Sequence, residues 1–179
     1  METLIESIGT EYYIQETYLR NQAMLGQTFS TNTTLKLTKS SFYLRRVNAT
    51  AGNYSSRLYE FKDGAIYGDI LAESSVISYA NISTTRTLID FAFDGTCVMS
   101  PSKTYAIVVY KNGGTTLDMS FGVAEYEGYS GYTIDYDGGW AYYLDFVNKF
   151  VFYVYGDNEG LPSSLSNISS ISNISQITL

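Results

Sequence analysis

The run Thr104-Tyr-Ala-Ile-Val-Val-Tyr110 restricts this chain more than any other stretch. Isoleucine and two valines in succession are stiff at χ1, which disfavours helix and suits a pleated surface. The apolar residues fall on both sides of the run, so it reads as a central strand buried between neighbours. Ser100-Pro101-Ser-Lys leads into it, and Asn112-Gly113-Gly114 ends it.

The rest of the chain follows the same grammar of short apolar runs separated by turn residues. Residues 12–16 read as a strand, 25–29 as another, and Leu35-Lys-Leu37-Thr as a third. Phe42-Tyr-Leu44-Arg-Arg-Val47 alternates with period two, which places Phe42 and Leu44 in the core with Tyr43 and Arg45 outside. Residues 48–53 form a turn, and 57–62 set Leu58 and Glu60 against Tyr59 and Phe61. Asp63-Gly64 and Asp94-Gly95 are turn signals. Residues 66–71, 74–80 and 88–93 supply further strands, and the apolar run over 147–155 closes the series. No segment before Gly160 carries a capped helical stripe. About ten strands predict an all-β fold, an antiparallel two-sheet sandwich or jelly roll. Residues 1–19 read as an N-terminal arm or edge strand, 20–158 as the sandwich, and 159–179 as a repetitive tail.

Composition narrows the chemistry. The 179 residues are 45% apolar and 16% charged, which fits one globular domain with a sizeable core. A net charge of −7 argues against a phosphate-binding surface, so nucleic acid is not an expected partner. The absence of histidine removes Ser-His-Asp and Cys-His catalysis together with the commonest transition-metal ligand. Cys97 stands alone and reads as a small core residue beside Val98, with no disulfide within the chain. The first 25 residues lack a basic start and an apolar centre, so no signal peptide is visible, and no window is apolar enough for membrane insertion.

A resemblance rests on Leu25-Gly-Gln-Thr-Phe29, Phe42-Tyr-Leu-Arg-Arg-Val47, Ser100-Pro-Ser-Lys-Thr-Tyr-Ala-Ile-Val-Val109 and Val151-Phe-Tyr-Val-Tyr-Gly156. This series resembles a jelly-roll β-sandwich domain of phage and archaeal-virus surface proteins and of secreted bacterial proteins of the choice-of-anchor kind. It is similar in shape to carbohydrate-binding modules of the jelly-roll type. The resemblance spans residues 20–156 and implies a virion-surface or extracellular setting, and it carries no catalytic residue.

The tail, LPSSLSNISSISNISQITL, places Leu165, Ile168, Ile171, Ile174 and Ile177 at every third position. That period fits neither a strand nor a helix. A Ser-rich linker, an oligomerising stalk that packs several copies of the stripe together, and a solenoid turn all accommodate it.

Between Gly122 and Gly156 stand eight tyrosines and the sole tryptophan, interleaved with carboxylates. Tyr129, Tyr132, Tyr136, Trp140 and Tyr142 with Asp135 and Asp137 form a candidate face for a glycan or protein partner, because aromatic rings cover apolar sugar faces while carboxylates accept hydroxyl hydrogen bonds. The same tyrosines would equally suit loop packing or a contact between copies. Asp135, Asp137 and Asp145, joined by Glu125, are a weak calcium candidate that lacks EF-hand spacing. A two-carboxylate glycosidase is the enzyme class that the missing histidine leaves open, but nothing fixes such a pair across a cleft. The expectation is a non-enzymatic protein with no cofactor and no metal. Six Asn-X-Ser/Thr sequons, at Asn32, Asn48, Asn53, Asn81, Asn167 and Asn173, exceed the roughly two expected by chance and are glycosylation candidates. The expected role is an exposed structural or attachment protein on a virion, with other copies of itself and neighbouring surface proteins as partners. A carbohydrate-binding module of a secreted or cell-surface protein is the alternative.

Overall fold

The computed structural model describes residues 2–8, 13–19, 24–47, 52–112, 119–125, 133–136, 140–143, 148–150 and 152–158. Side chains are described over 2–5, 24–47, 52–112, 134, 140–141 and 152–158. In chain order the strands are β1 (Thr3–Ile8), β2 (Tyr13–Leu19), β3 (Met24–Ser30), β4 (Leu35–Arg46), β5 (Asn53–Lys62), β6 (Ala65–Glu73), β7 (Ile77–Ser78), β8 (Thr87–Ala92), β9 (Val98–Met99) and β10 (Thr104–Asn112). The series continues with β11 (Met119–Glu125), β12 (Thr133–Tyr136), β13 (Trp140–Tyr143), β14 (Asn148–Phe150) and β15 (Phe152–Asp157). The helical content among the described residues is one 3-10 turn, Tyr79–Asn81. All strand pairs are antiparallel, in one sheet of eight strands and one of seven. The expected two-sheet sandwich is therefore the fold.

In the seven-stranded sheet the order is β13-β12-β3-β10-β5-β6, with β7 on β5 beyond the end of β6. The Thr104–Asn112 strand sits between β3 and β5 along its length. Tyr105, Ala106, Ile107, Val108 and Val109 are all buried, as a central strand covered on both faces requires. Gly26 pairs with Val108, and a Cβ there would lie 2.0 Å from the Ile107 carbonyl oxygen, so the close approach of β3 to β10 admits only glycine.

The eight-stranded sheet is organised by β4. Leu44 pairs with Thr87 of β8 on one side and with Phe121 of β11 on the other, while Phe42 pairs with Ile89 of β8 and Phe152 of β15. β15 and β11 therefore share the same side of β4, with β15 beside residues 36–42 and β11 beside 44–46. In the next row, β1 pairs with β15 and β2 with β11. Following the alternation of directions, β1 and β2 run the same way, one after the other, and together span both partners.

Two sequence expectations change in detail. Residues 35–38 and 42–47 do not form two strands; one twelve-residue strand runs from Leu35 to Arg46 with a bulge at Thr38, where Tyr155 pairs with Lys39 and Gly156 with Leu37. The extra residue reverses the inward parity, so Leu35 and Leu37 face the core on odd numbers, and Phe42 and Leu44 on even ones. The closing run is not one strand either: β14 pairs with β11, whereas β15 pairs with β4 and β1.

Between the sheets lie Leu25, Phe29, Leu37, Phe42, Leu44, Tyr54, Leu58, Phe91, Tyr105, Ile107, Val109, Phe152 and Val154. Phe42 meets Phe91 edge-on at 6.1 Å and stacks on Phe152 at 6.4 Å. One polar contact ties the layers together, the Ser40 hydroxyl of β4 donating to Ser56 Oγ of β5 at 2.8 Å. Cys97 is half-buried against this core, and burial pushes its thiol up, with the Asp94 charge adding to the effect. No helix among the described residues is long and apolar enough to cross a membrane.

Candidate functional site

The face of the seven-stranded sheet turned away from the eight-stranded one carries a second apolar cluster. On β10 the even positions Ala106 and Val108 lie on this face, opposite in parity to Tyr105, Ile107 and Val109. Met24 of β3, Tyr59 and Phe61 of β5 and Ile134 of β12 join them, with Ile66, Tyr110 and Trp140 half-buried around the margin. Strand β5 thus buries residues of both parities, Leu58 inward and Tyr59 and Phe61 outward.

Ring geometry gives the shape of this face. β13 and β5 are separated by four strand spacings, about 19 Å if the sheet were flat. Yet the Trp140 and Tyr59 rings lie 5.7 Å apart, at an interplanar angle of 76°. The sheet therefore curls towards this side, making a concave surface into which the two rings fold. Tyr59 lies across the small Ala106 side chain and points its hydroxyl at Met24 Sδ, 3.6 Å away. Burial pushes the Tyr59 phenol up, and the nearby Arg57 guanidinium offsets part of that rise.

Beside Tyr59 is a polar group built by direct cross-strand pairing. Arg57 of β5 stands opposite Glu73 of β6, and its Nε donates to Glu73 Oε1 at 3.0 Å. The Ser55 hydroxyl donates to the same carboxylate oxygen at 2.5 Å. The guanidinium carbon lies 3.5 Å from the Tyr110 ring centroid, a close cation–π contact that fixes the plane of the group. Sequence reading passed over Arg57, Glu73 and Tyr110. The signal available was the apolar content of both parities in residues 57–62, which implies that the outer side of that strand is also occupied.

Of the predicted face, Trp140 is the residue whose side chain is described, and it serves partly as cover for the second cluster. Asp135 and Tyr136 fall in β12 and Tyr142 in β13. In register, Tyr136 pairs with Met24 and Trp140, Asp135 with Leu25 and Ala141, and Tyr142 with Ile134. Tyr136, Trp140 and Tyr142 thus share the register of Met24 and Ile134 in the second cluster, whereas Asp135 takes the register of Leu25, which belongs to the core between the sheets. Tyr129, Tyr132, Asp137 and Asp145 lie outside the described residues, as do Leu165, Ile168, Ile171, Ile174 and Ile177. Glu125 ends β11. Of the sequon asparagines, Asn32, Asn53 and Asn81 are exposed. Asn32 precedes β4 in a turn where Thr33 N donates to Thr31 Oγ1, Asn53 opens β5, and Asn81 closes the 3-10 turn. Asn48, Asn167 and Asn173 lie outside the described residues.

A different surface feature sits at the sheet's edge. In β6, Tyr67 pairs with Glu60 and Ala72 with Leu58, so residues 68–71 stand where β5 has Tyr59 alone. This wide bulge, with Gly68 at φ +74°, turns two adjacent aliphatic side chains outwards. Ile70 is 41% and Leu71 44% exposed, and Tyr67 at 58% and Val76 at 63% lie nearby in sequence.

No protein-family model matches the chain, and neither does any curated protein.

Proposed function

We propose that the chain is a non-enzymatic structural or attachment subunit of a surface assembly. The virion or extracellular setting comes from the resemblance of its strand series to viral and secreted surface domains. The observation that carries the reading is the edge of the seven-stranded sheet. A bulge that exposes Ile70 and Leu71 together, on the last strand of the sheet among the described residues, is costly in a free monomer and useful in an assembly. The Ile stripe of residues 165–177 adds a second apolar surface that one chain cannot easily bury.

Light scattering on size-exclusion fractions tests this. Full-length protein is expected to elute as an oligomer. The double substitution Ile70→Ser and Leu71→Ser should lower the assembly state without lowering the thermal midpoint, and removal of residues 159–179 should lower it further. A full-length monomer unaffected by either change refutes the proposal.

The concave face favours a second reading, a carbohydrate-binding module. Aromatic rings and a fixed Arg–Glu pair on one curved surface are the ingredients of shallow sugar recognition.

A further inference from the structure

We infer that Arg57 and Glu73 form the centre of a binding site for a neutral pyranose, gripped through two neighbouring hydroxyls. This rests on the reading of the chain as an attachment protein and names the ligand class it would attach to.

The argument begins with unused hydrogen-bonding capacity. Arg57 engages Glu73 through Nε, and its guanidinium lies on Tyr110. Those contacts, with the hydrogen bond that the guanidinium gives the Tyr59 hydroxyl, still leave terminal N–H groups to act as donors. On Glu73, Oε1 accepts from both Ser55 and Arg57, which leaves Oε2 as an acceptor. With side-chain exposures of 18% for Arg57 and 39% for Glu73, both groups reach solvent. Fixed donor N–H groups therefore stand beside a fixed acceptor, the pattern that matches adjacent hydroxyls, each of which both donates and accepts.

Pre-organisation is already present. The guanidinium is held by a carboxylate on one edge and a ring on one face, and the carboxylate by two donors on one oxygen. A ligand would therefore find the groups in place and lose little side-chain entropy on binding. The charges of the pair cancel, so a neutral ligand suits the centre better than an acid. The net charge of −7 on the whole chain acts in the same direction. Next along β5, Tyr59 connects the pair to the half-exposed Trp140, which supplies an aromatic ring for an apolar sugar face.

The test uses full-length protein. Methyl β-galactopyranoside, methyl α-glucopyranoside and methyl α-mannopyranoside are titrated in, with sodium glucuronate as the charged comparison, while the Arg57 Nε–H resonance and the Trp140 emission are followed. At least one neutral glycoside should give a saturable shift of the Arg57 signal. Arg57→Lys, which keeps the charge but loses the fork, and Glu73→Gln, which keeps the shape but loses the charge, should each weaken binding about tenfold or more. Circular dichroism should show both variants folded. No saturable response to any neutral glycoside overturns the site, as does binding that survives both substitutions or a preference for glucuronate. Assembly is read separately by light scattering, so an oligomer that binds no glycoside removes this site and leaves the assembly reading standing.

Discussion

At the scale of single residues, the interior depends on a few polar atoms having partners. Ser40 and Ser56 are fully buried, and their hydroxyls satisfy each other across the two sheets. Ser40→Ala removes the donor and leaves Ser56 Oγ short of a partner, so urea denaturation should show a loss of about 1–2 kcal/mol. In the double variant with Ser56→Ala both polar atoms are gone, and the loss should be smaller than the sum of the two single changes; a strictly additive cycle would show the contact to be energetically empty. The inward positions Phe42 and Leu44 were legible in the sequence because strand alternation is local information. Arg57 and Glu73 were not: their partnership exists only because β6 folds back onto β5 with a wide bulge between the anchoring pairs, and neither residue's type signals that geometry.

Elements carry a different kind of information. Leu35 and Leu37 have the opposite parity from Phe42 and Leu44, and a single bulge at Thr38 reconciles them within β4. Deleting Thr38 takes out the extra residue and puts Leu35, Leu37, Phe42 and Leu44 on one regular inward alternation, so the variant should still unfold in one cooperative thermal transition. Loss of that transition would show that the bulge itself is needed for β4 to pair with β15. Turn dipeptides proved dependable at this scale. Asp63 and Gly64, with φ of 54° and 82°, form the two-residue turn between β5 and β6 that their sequence predicts. The division of residues 147–155 into β14 and β15 was not legible, because a continuous apolar run says nothing about a change of partner.

For the molecule as a whole, the groups that titrate above neutrality point one way. Burial raises the Tyr59 and Tyr105 phenols above 10.0 and the Cys97 thiol above 9.0. Lys39 is also raised above 10.5, because Asp90 and Glu2 outweigh the opposing effect of its own burial. In each case the unfolded chain releases its proton at lower pH than the folded one. The stabilisation is complete below these ordinary values and is lost as pH climbs through the raised ones. Thermal midpoints should therefore be level near neutrality and fall from about pH 9 upwards; a midpoint unchanged to pH 11 would contradict this. The sandwich itself was legible from strand length, alternation and turn spacing. The sharing of one side of β4 by β15 and β11 was not, since pairing between residues more than 70 positions apart leaves no local trace.

The row formed by β1 and β2 also bears on how the protein is made. β1 is made before the other strands of the sandwich, yet its partner β15 is separated from it by almost the whole sandwich. During synthesis β1 must wait until residues 152–157 emerge, so the eight-stranded sheet closes only after the strands between them have been made. Pairings of such long sequence separation place folding on the slow, millisecond-to-second side of the range for small domains. The interval before closure is when the nascent chain is most open to pairing with a neighbouring copy.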